Sequence, residues 1–87
     1  MSEYPIRLLI ADDMLPIREY LNMVLNHEPD MQVVGLVDSG ALAVQETLKT
    51  KPHVVLMDIE METPHAGIEA IRQLSREAPE IKLIVLT

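Results

Sequence analysis

The sequence predicts a doubly wound α/β fold, a single parallel sheet with helices on both faces. Three observations predict it. Four short, near-continuous apolar runs recur along the 87 residues: Ile6–Ala11 (IRLLIA), 32–37 (QVVGLV), 54–57 (VVLM) and 81–86 (IKLIVL). Runs of this length without polar alternation suit strands buried in a parallel sheet. Between them lie segments with apolar residues at helical spacing, and a parallel crossover requires such a helix. The resulting order is β-α-β-α-β-α-β, with the right-handed crossovers that nearly all such units adopt.

Each element has its own signals. The first strand ends in Asp12-Asp13, and Met14, Leu15 and Pro16 follow, proline being tolerated in a first helical turn. Ile17, Leu21, Val24 and Leu25 then fall at i, i+4, i+7 and i+8, which predicts one buried helix face with Arg18, Glu19 and Asn22 opposite. Glu28-Pro29-Asp30 stops that helix. The second strand closes on Asp38-Ser39-Gly40, where Ser39 is the expected N-cap of a helix with Ala43, Val44, Thr47 and Leu48 inward. Leu42 falls off that face. Lys49 and Lys51, ahead of Pro52, place cations where a helix C-terminus favours them. The third strand, Val54 to Met57, is expected to be buried on both faces and runs directly into Asp58. After a loop over 60–66, Gly67 opens a third helix with Ile68, Ile71 and Leu74 inward, ended by Pro79. The last run finishes at Thr87.

Composition narrows the class of protein. The length is that of one small domain, read as residues 1–87 in a single packed unit, since no repeat or Gly/Ser-rich linker interrupts it. Apolar residues make up 48 %, with no Trp or Phe and two Tyr, so the core is aliphatic. The absence of cysteine excludes disulfides and thiolate metal sites and fits a cytoplasmic protein. A net charge of −7 argues against direct nucleic-acid binding by this segment. No signal run opens the chain, and no apolar stretch has the length of a membrane span. His27, His53 and His65 are too scattered for a metal site, and the methionines read as core fillers.

The chemistry collects at one sheet edge. All strands of a parallel sheet point the same way, and open α/β sheets bind ligands beyond the carboxyl ends of their strands. The residues placed there are Asp12 and Asp13, Asp58, and Thr87. Each has an ordinary explanation when taken singly: acids suit a helix N-terminus, and Asp often starts a turn. With the first strand beside the third and the third beside the fourth, however, three carboxylates and a hydroxyl converge. Hard oxygen ligands suit Mg²⁺, and a carboxylate fixed beside Mg²⁺ is placed to attack a phosphoryl group and form an acyl phosphate.

The segments IRLLIADD, DSGALAV, PHVVLMDIEM, GIEA and IKLIVLT, in that order, resemble the receiver domain of two-component response regulators. The likeness spans the whole chain and implies a flavodoxin-like receiver fold. It also implies that Asp58 is the phosphoacceptor, charged by a sensor histidine kinase. By the same likeness Asp13 binds Mg²⁺ directly and Asp12 supports it through water. Asp58 and the backbone carbonyl of Glu60 complete the ligands, and Thr87 is the switch hydroxyl. The IADD opening and GIEA are most similar to regulators that carry a helix-turn-helix DNA-binding domain downstream.

Two departures stand out. The loop Glu62-Thr63-Pro64-His65-Ala66-Gly67 is about one residue longer than is common in the family. The family fold also continues past the position of Thr87, to a fifth strand ending in a lysine and carrying an aromatic switch residue. Lys49, Lys51 and Lys82 do not stand at that position. The 87 residues therefore read as an incomplete receiver fold, with an apolar strand edge and sheet face that favour association, as in a homodimer. Two other functions share some of these features. A phosphatase of the haloacid dehalogenase type also uses a strand-end aspartate with Mg²⁺, but its D-x-D follows the first strand, where this chain has adjacent aspartates. A receiver-like adaptor acting without phosphorylation is favoured by the missing lysine and disfavoured by the intact Asp12, Asp13 and Asp58 set.

Overall fold

The computed structural model describes residues 4–61, 63 and 65–86. Its elements are β1 (Ile6–Ala11), α1 (Leu15–His27), β2 (Met31–Val37), α2 (Gly40–Thr50), β3 (Val54–Asp58), α3 (Ala66–Glu77) and β4 (Lys82–Leu86). The four strands form one parallel sheet in the order β2-β1-β3-β4. This is the doubly wound arrangement, with β1 beside β3 and β3 beside β4 as the site requires.

The main core cluster lies on one face of the sheet, while Leu8 and Ile10 of β1 are buried on the other. Leu9 and Ala11 of β1, Val37 of β2, and Val55 and Met57 of β3 pack on the first face against Ala43 and Val44 of α2 and Ala70 and Leu74 of α3. Ser39 caps α2 as expected, its Oγ accepting the Leu42 N–H at 3.1 Å. Lys51 ends the helix in the left-handed conformation. Leu42 is exposed, also as expected.

The opposite face carries α1, which packs against β2 and β1. Here the sequence expectations need correcting. No residue of α1 is buried: Leu21 and Leu25 are half-covered, whereas Ile17 and Val24 are 42 % and 38 % exposed. Among the described residues no second helix lies beside α1, so only part of its apolar stripe finds a surface to cover. The same reason leaves β3 buried on one face rather than two, with Val55 and Met57 fully buried and Val54 and Leu56 half-buried. On the core side, Leu48 and Ile68 are exposed instead of inward, while Thr47 and Ala70 hold the central positions of their helices.

The amino-terminal rim of the sheet is tied by side chains. The Arg7 guanidinium donates to the Thr50 and Lys51 carbonyls at the end of α2, at 2.7 and 2.9 Å. His53 Nδ1 accepts the Arg7 N–H at 2.9 Å. His53 also donates its own N–H to the Arg7 carbonyl and accepts the Lys82 N–H. This histidine serves as a structural acceptor.

Candidate functional site: an acidic pocket at the carboxyl rim

At the other rim, β1 and β3 deliver their terminal acids to the same place. One carboxylate oxygen from each of Asp12, Asp13 and Asp58 lies within 4.8 Å of the other two. The parallel register explains the meeting. Ala11 pairs with Met57, so the residues that follow, Asp12 and Asp58, leave adjacent strands side by side. Asp12 is 3 % exposed, Asp58 is half-buried, and Asp13 is exposed.

Two short turns aim the carboxylates. Asp12 Oδ1 accepts the Met14 N–H at 2.9 Å, which fixes the entry to α1. Asp58 Oδ1 accepts the Glu60 N–H at 3.0 Å, which folds the loop after β3 back on the carboxylate. The Asp12 N–H donates to the Val37 carbonyl at 3.0 Å, and the Ile59 N–H reaches the Leu86 carbonyl at 3.4 Å. Arg18, placed on the outer side of α1 by its spacing, instead reaches back so that Nη1 donates to the Asp12 carbonyl at 2.7 Å. Sequence reasoning missed this contact. The only signal for it is a long cationic side chain one turn after an acid pair.

The acids open onto a pocket of about 460 Å³ lined by Asp12, Met14, Ile17, Leu21, Asp58, Glu60 and Leu86. One wall is acidic and the other is the apolar flank of α1. Glu60 stands at the rim with an exposed side chain. Thr87 lies outside the described residues. The donor set fits a hard divalent cation: it is all oxygen, anionic, close enough for shared coordination, and open to water on one side. Among the described residues this trio is the one group of acidic or imidazole side chains so gathered.

A doubly wound parallel sheet whose central strands end in a cluster of three carboxylates defines an α/β domain with an acidic site, and comparison with known proteins makes the assignment specific. Residues 8–87 match the model of the response regulator receiver domain, and the chain belongs to that family. It is a signalling domain of two-component systems. The chain is 36 % identical over 81 residues to the oxygen regulatory protein NreC of Staphylococcus haemolyticus, covering 93 % of this chain and 37 % of that protein. It thus spans little more than a third of the length of such relatives. The response regulator domain of Thermotoga maritima CheB superposes with a TM-score of 0.85 at 38 % identity, over 92 % of this chain and 58 % of that one. RcsB of Salmonella enterica serovar Typhimurium, solved bound to a promoter with the phosphomimetic BeF3⁻, superposes at 0.84 with 26 % identity, over 95 % and 42 % of the two chains. No helix among the described residues is long and apolar enough to cross a membrane.

Proposed function

We propose that the domain accepts a phosphoryl group on Asp58 in a Mg²⁺-dependent step, from a sensor histidine kinase, and thereby switches an output. The observation that carries this reading is the meeting of Asp12, Asp13 and Asp58 within 4.8 Å at the mouth of an open pocket. Asp13, Asp58 and the Glu60 carbonyl would hold the cation, with Asp12 supporting it. When bound, the ion neutralises charge on the oxygens of the group in transfer.

The chain's own residues do the remaining work. The Asp58 carboxylate is held at a strand end, and its Oδ1 is engaged by the Glu60 N–H. Its other oxygen attacks phosphorus, an O–P bond forms, and the P–N bond of the donor phosphohistidine breaks as the imidazole leaves and takes up a proton. Asp58 becomes an acyl phosphate; the domain modifies itself and turns over no other substrate. Added phosphoryl charge then recruits new hydrogen-bond donors, and Thr87 is the proposed switch hydroxyl. A DNA-binding output in the longer protein is supported by the promoter-bound relative, and the cytoplasm is the proposed compartment.

The test is incubation with acetyl phosphate and MgCl2 followed by intact mass measurement. The expected result is the mass of one added phosphoryl group, lost when EDTA replaces MgCl2. A chain that stays unmodified when it carries the family's full set of elements would overturn the reading, as would steady release of phosphate from many small esters.

Homodimerisation belongs to the same proposal. Ile17 and Val24 of α1 and Ile84 of β4 are 42 %, 38 % and 45 % exposed, and Val85 on β4 is exposed as well. Exposed apolar side chains on α1 and on the edge strand β4 favour self-association. Sedimentation velocity is expected to show a dimer at high concentration, and a well-behaved monomer there would remove this part.

A further inference from the structure

We infer that Gly67, at the start of α3, is a positioning residue for the Asp58 turn, setting the acidic pocket's geometry through a backbone-to-backbone contact with Ile59; this rests on the reading of Asp58 as acceptor beside Mg²⁺. A Cβ at position 67 would lie 2.5 Å from the Ile59 carbonyl oxygen, 2.8 Å from its Cα and 2.9 Å from its carbonyl carbon. All three are main-chain atoms, so no side chain can swing aside to admit a methyl group. No glycine in the described chain has a positive φ. Residue 67 is therefore glycine because of how closely Ile59 approaches, not because of its backbone conformation.

Ile59 is the link between the two residues that matter. It joins Asp58 to Glu60, whose N–H holds Asp58 Oδ1 at 3.0 Å and whose carbonyl is the proposed ligand. Its own N–H reaches Leu86 O across the rim at 3.4 Å. Pushing Ile59 away therefore moves the carboxylate, its hydrogen bond and the carbonyl together. α3 cannot easily retreat instead. A Cβ at Gly40 would lie 2.6 Å from the Ala66 carbonyl oxygen, so the start of α3 is wedged between the start of α2 and Ile59. Farther along, Ala70 and Leu74 are buried in the core. Mg²⁺ tolerates little departure from octahedral geometry at short metal–oxygen distances. A few tenths of an ångström at Ile59 therefore bear on binding.

The experiment compares Gly67→Ala with Gly40→Ala and with Gly35→Ala. Gly35 lies on β2, where an added Cβ meets the side chain of Leu9 rather than the loop, so Gly35→Ala reports general loss of packing. Calorimetric titration with MgCl2 is expected to show affinity about tenfold weaker in Gly67→Ala, the size typical of lost support around a metal ligand. Gly40→Ala shifts the same way by less. Gly35→Ala lowers the melting temperature without changing Mg²⁺ affinity. In the metal-free chain, the Ile59 and Glu60 amide resonances are expected to move in Gly67→Ala and to stay in place in Gly35→Ala. A folded Gly67→Ala with unchanged amide resonances overturns the inference, whether or not the unaltered chain binds Mg²⁺. If Gly67→Ala does not fold, unchanged Ile59 and Glu60 resonances in Gly40→Ala overturn it equally. An unaltered chain that neither binds Mg²⁺ nor takes up phosphoryl groups sinks the functional reading instead, and the amide shifts still decide the role of Gly67.

Discussion

Asp58→Asn is expected to abolish phosphoryl uptake from acetyl phosphate while leaving the domain folded. Asparagine matches aspartate in size, and its Oδ1 still accepts the Glu60 N–H that holds the turn at 3.0 Å. What it lacks is an anionic oxygen to attack phosphorus. The substitution also removes one of three carboxylates gathered within 4.8 Å. Unit charges at such separations repel by about 1 kcal/mol even in bulk water. Without divalent ions the variant should therefore melt no lower than the unaltered chain. Mg²⁺ should raise its melting point by less, because one ligand charge is gone and the stabilisation follows the binding constant. Intact mass and thermal melts with and without MgCl2 check both halves. A phosphoryl adduct on the variant would move the acceptor to another residue.

The largest expected loss of stability is that of Leu9→Ala. Leu9 is fully buried at the centre of β1, paired with Gly35 of β2 on one side and Val55 of β3 on the other. The absence of a side chain at Gly35 is what admits the Leu9 Cδ1. Truncation would leave a cavity bordered by two strands and the helices above them, a site with little means of collapsing. Leu→Ala changes in such positions cost about 3–5 kcal/mol. Domains of modest size have only about 5–15 kcal/mol in total, with the smallest at the low end. The variant is expected to keep only a small remainder of its stability at room temperature, read as a urea midpoint moved far down. A loss below about 1 kcal/mol would mean that the core repacks around the gap.

The elements and the acidic trio were legible in the sequence for one physical reason. An apolar run that stops at an acid marks both a buried strand and the edge at which it emerges. β1 is found over the residues its composition marked, and Asp12, Asp13 and Asp58 meet because parallel strands end on the same side. What spacing could not supply was the neighbour. The stripe on α1 is real, but spacing does not tell how much surface lies opposite it, and Ile17 and Val24 stay exposed. Leu48 and Ile68 fell within correctly assigned helices yet lie at the margins of the packed face, where a small rotation decides burial. Gly67 read as a helix opener, because nothing in a sequence reports that a carbonyl 8 residues earlier presses against it. Likewise, the Arg18 contact to the Asp12 carbonyl depends on a side-chain path that local pattern does not encode.

The two rims of the sheet are built unlike one another, and this has a mechanical result. At the amino rim, Arg7 and His53 bind groups of neighbouring elements, lacing β1, β3, β4 and the end of α2 together. At the acidic rim, Asp12 and Asp58 each grip the main chain two residues further along their own turn. At the same rim the Asp12 N–H reaches β2 through the Val37 carbonyl and the Ile59 N–H reaches β4 through the Leu86 carbonyl, so a tug on either carboxylate is shared between its own turn and the next strand. The acid-bearing turns are thereby coupled to both edge strands, β2 and β4.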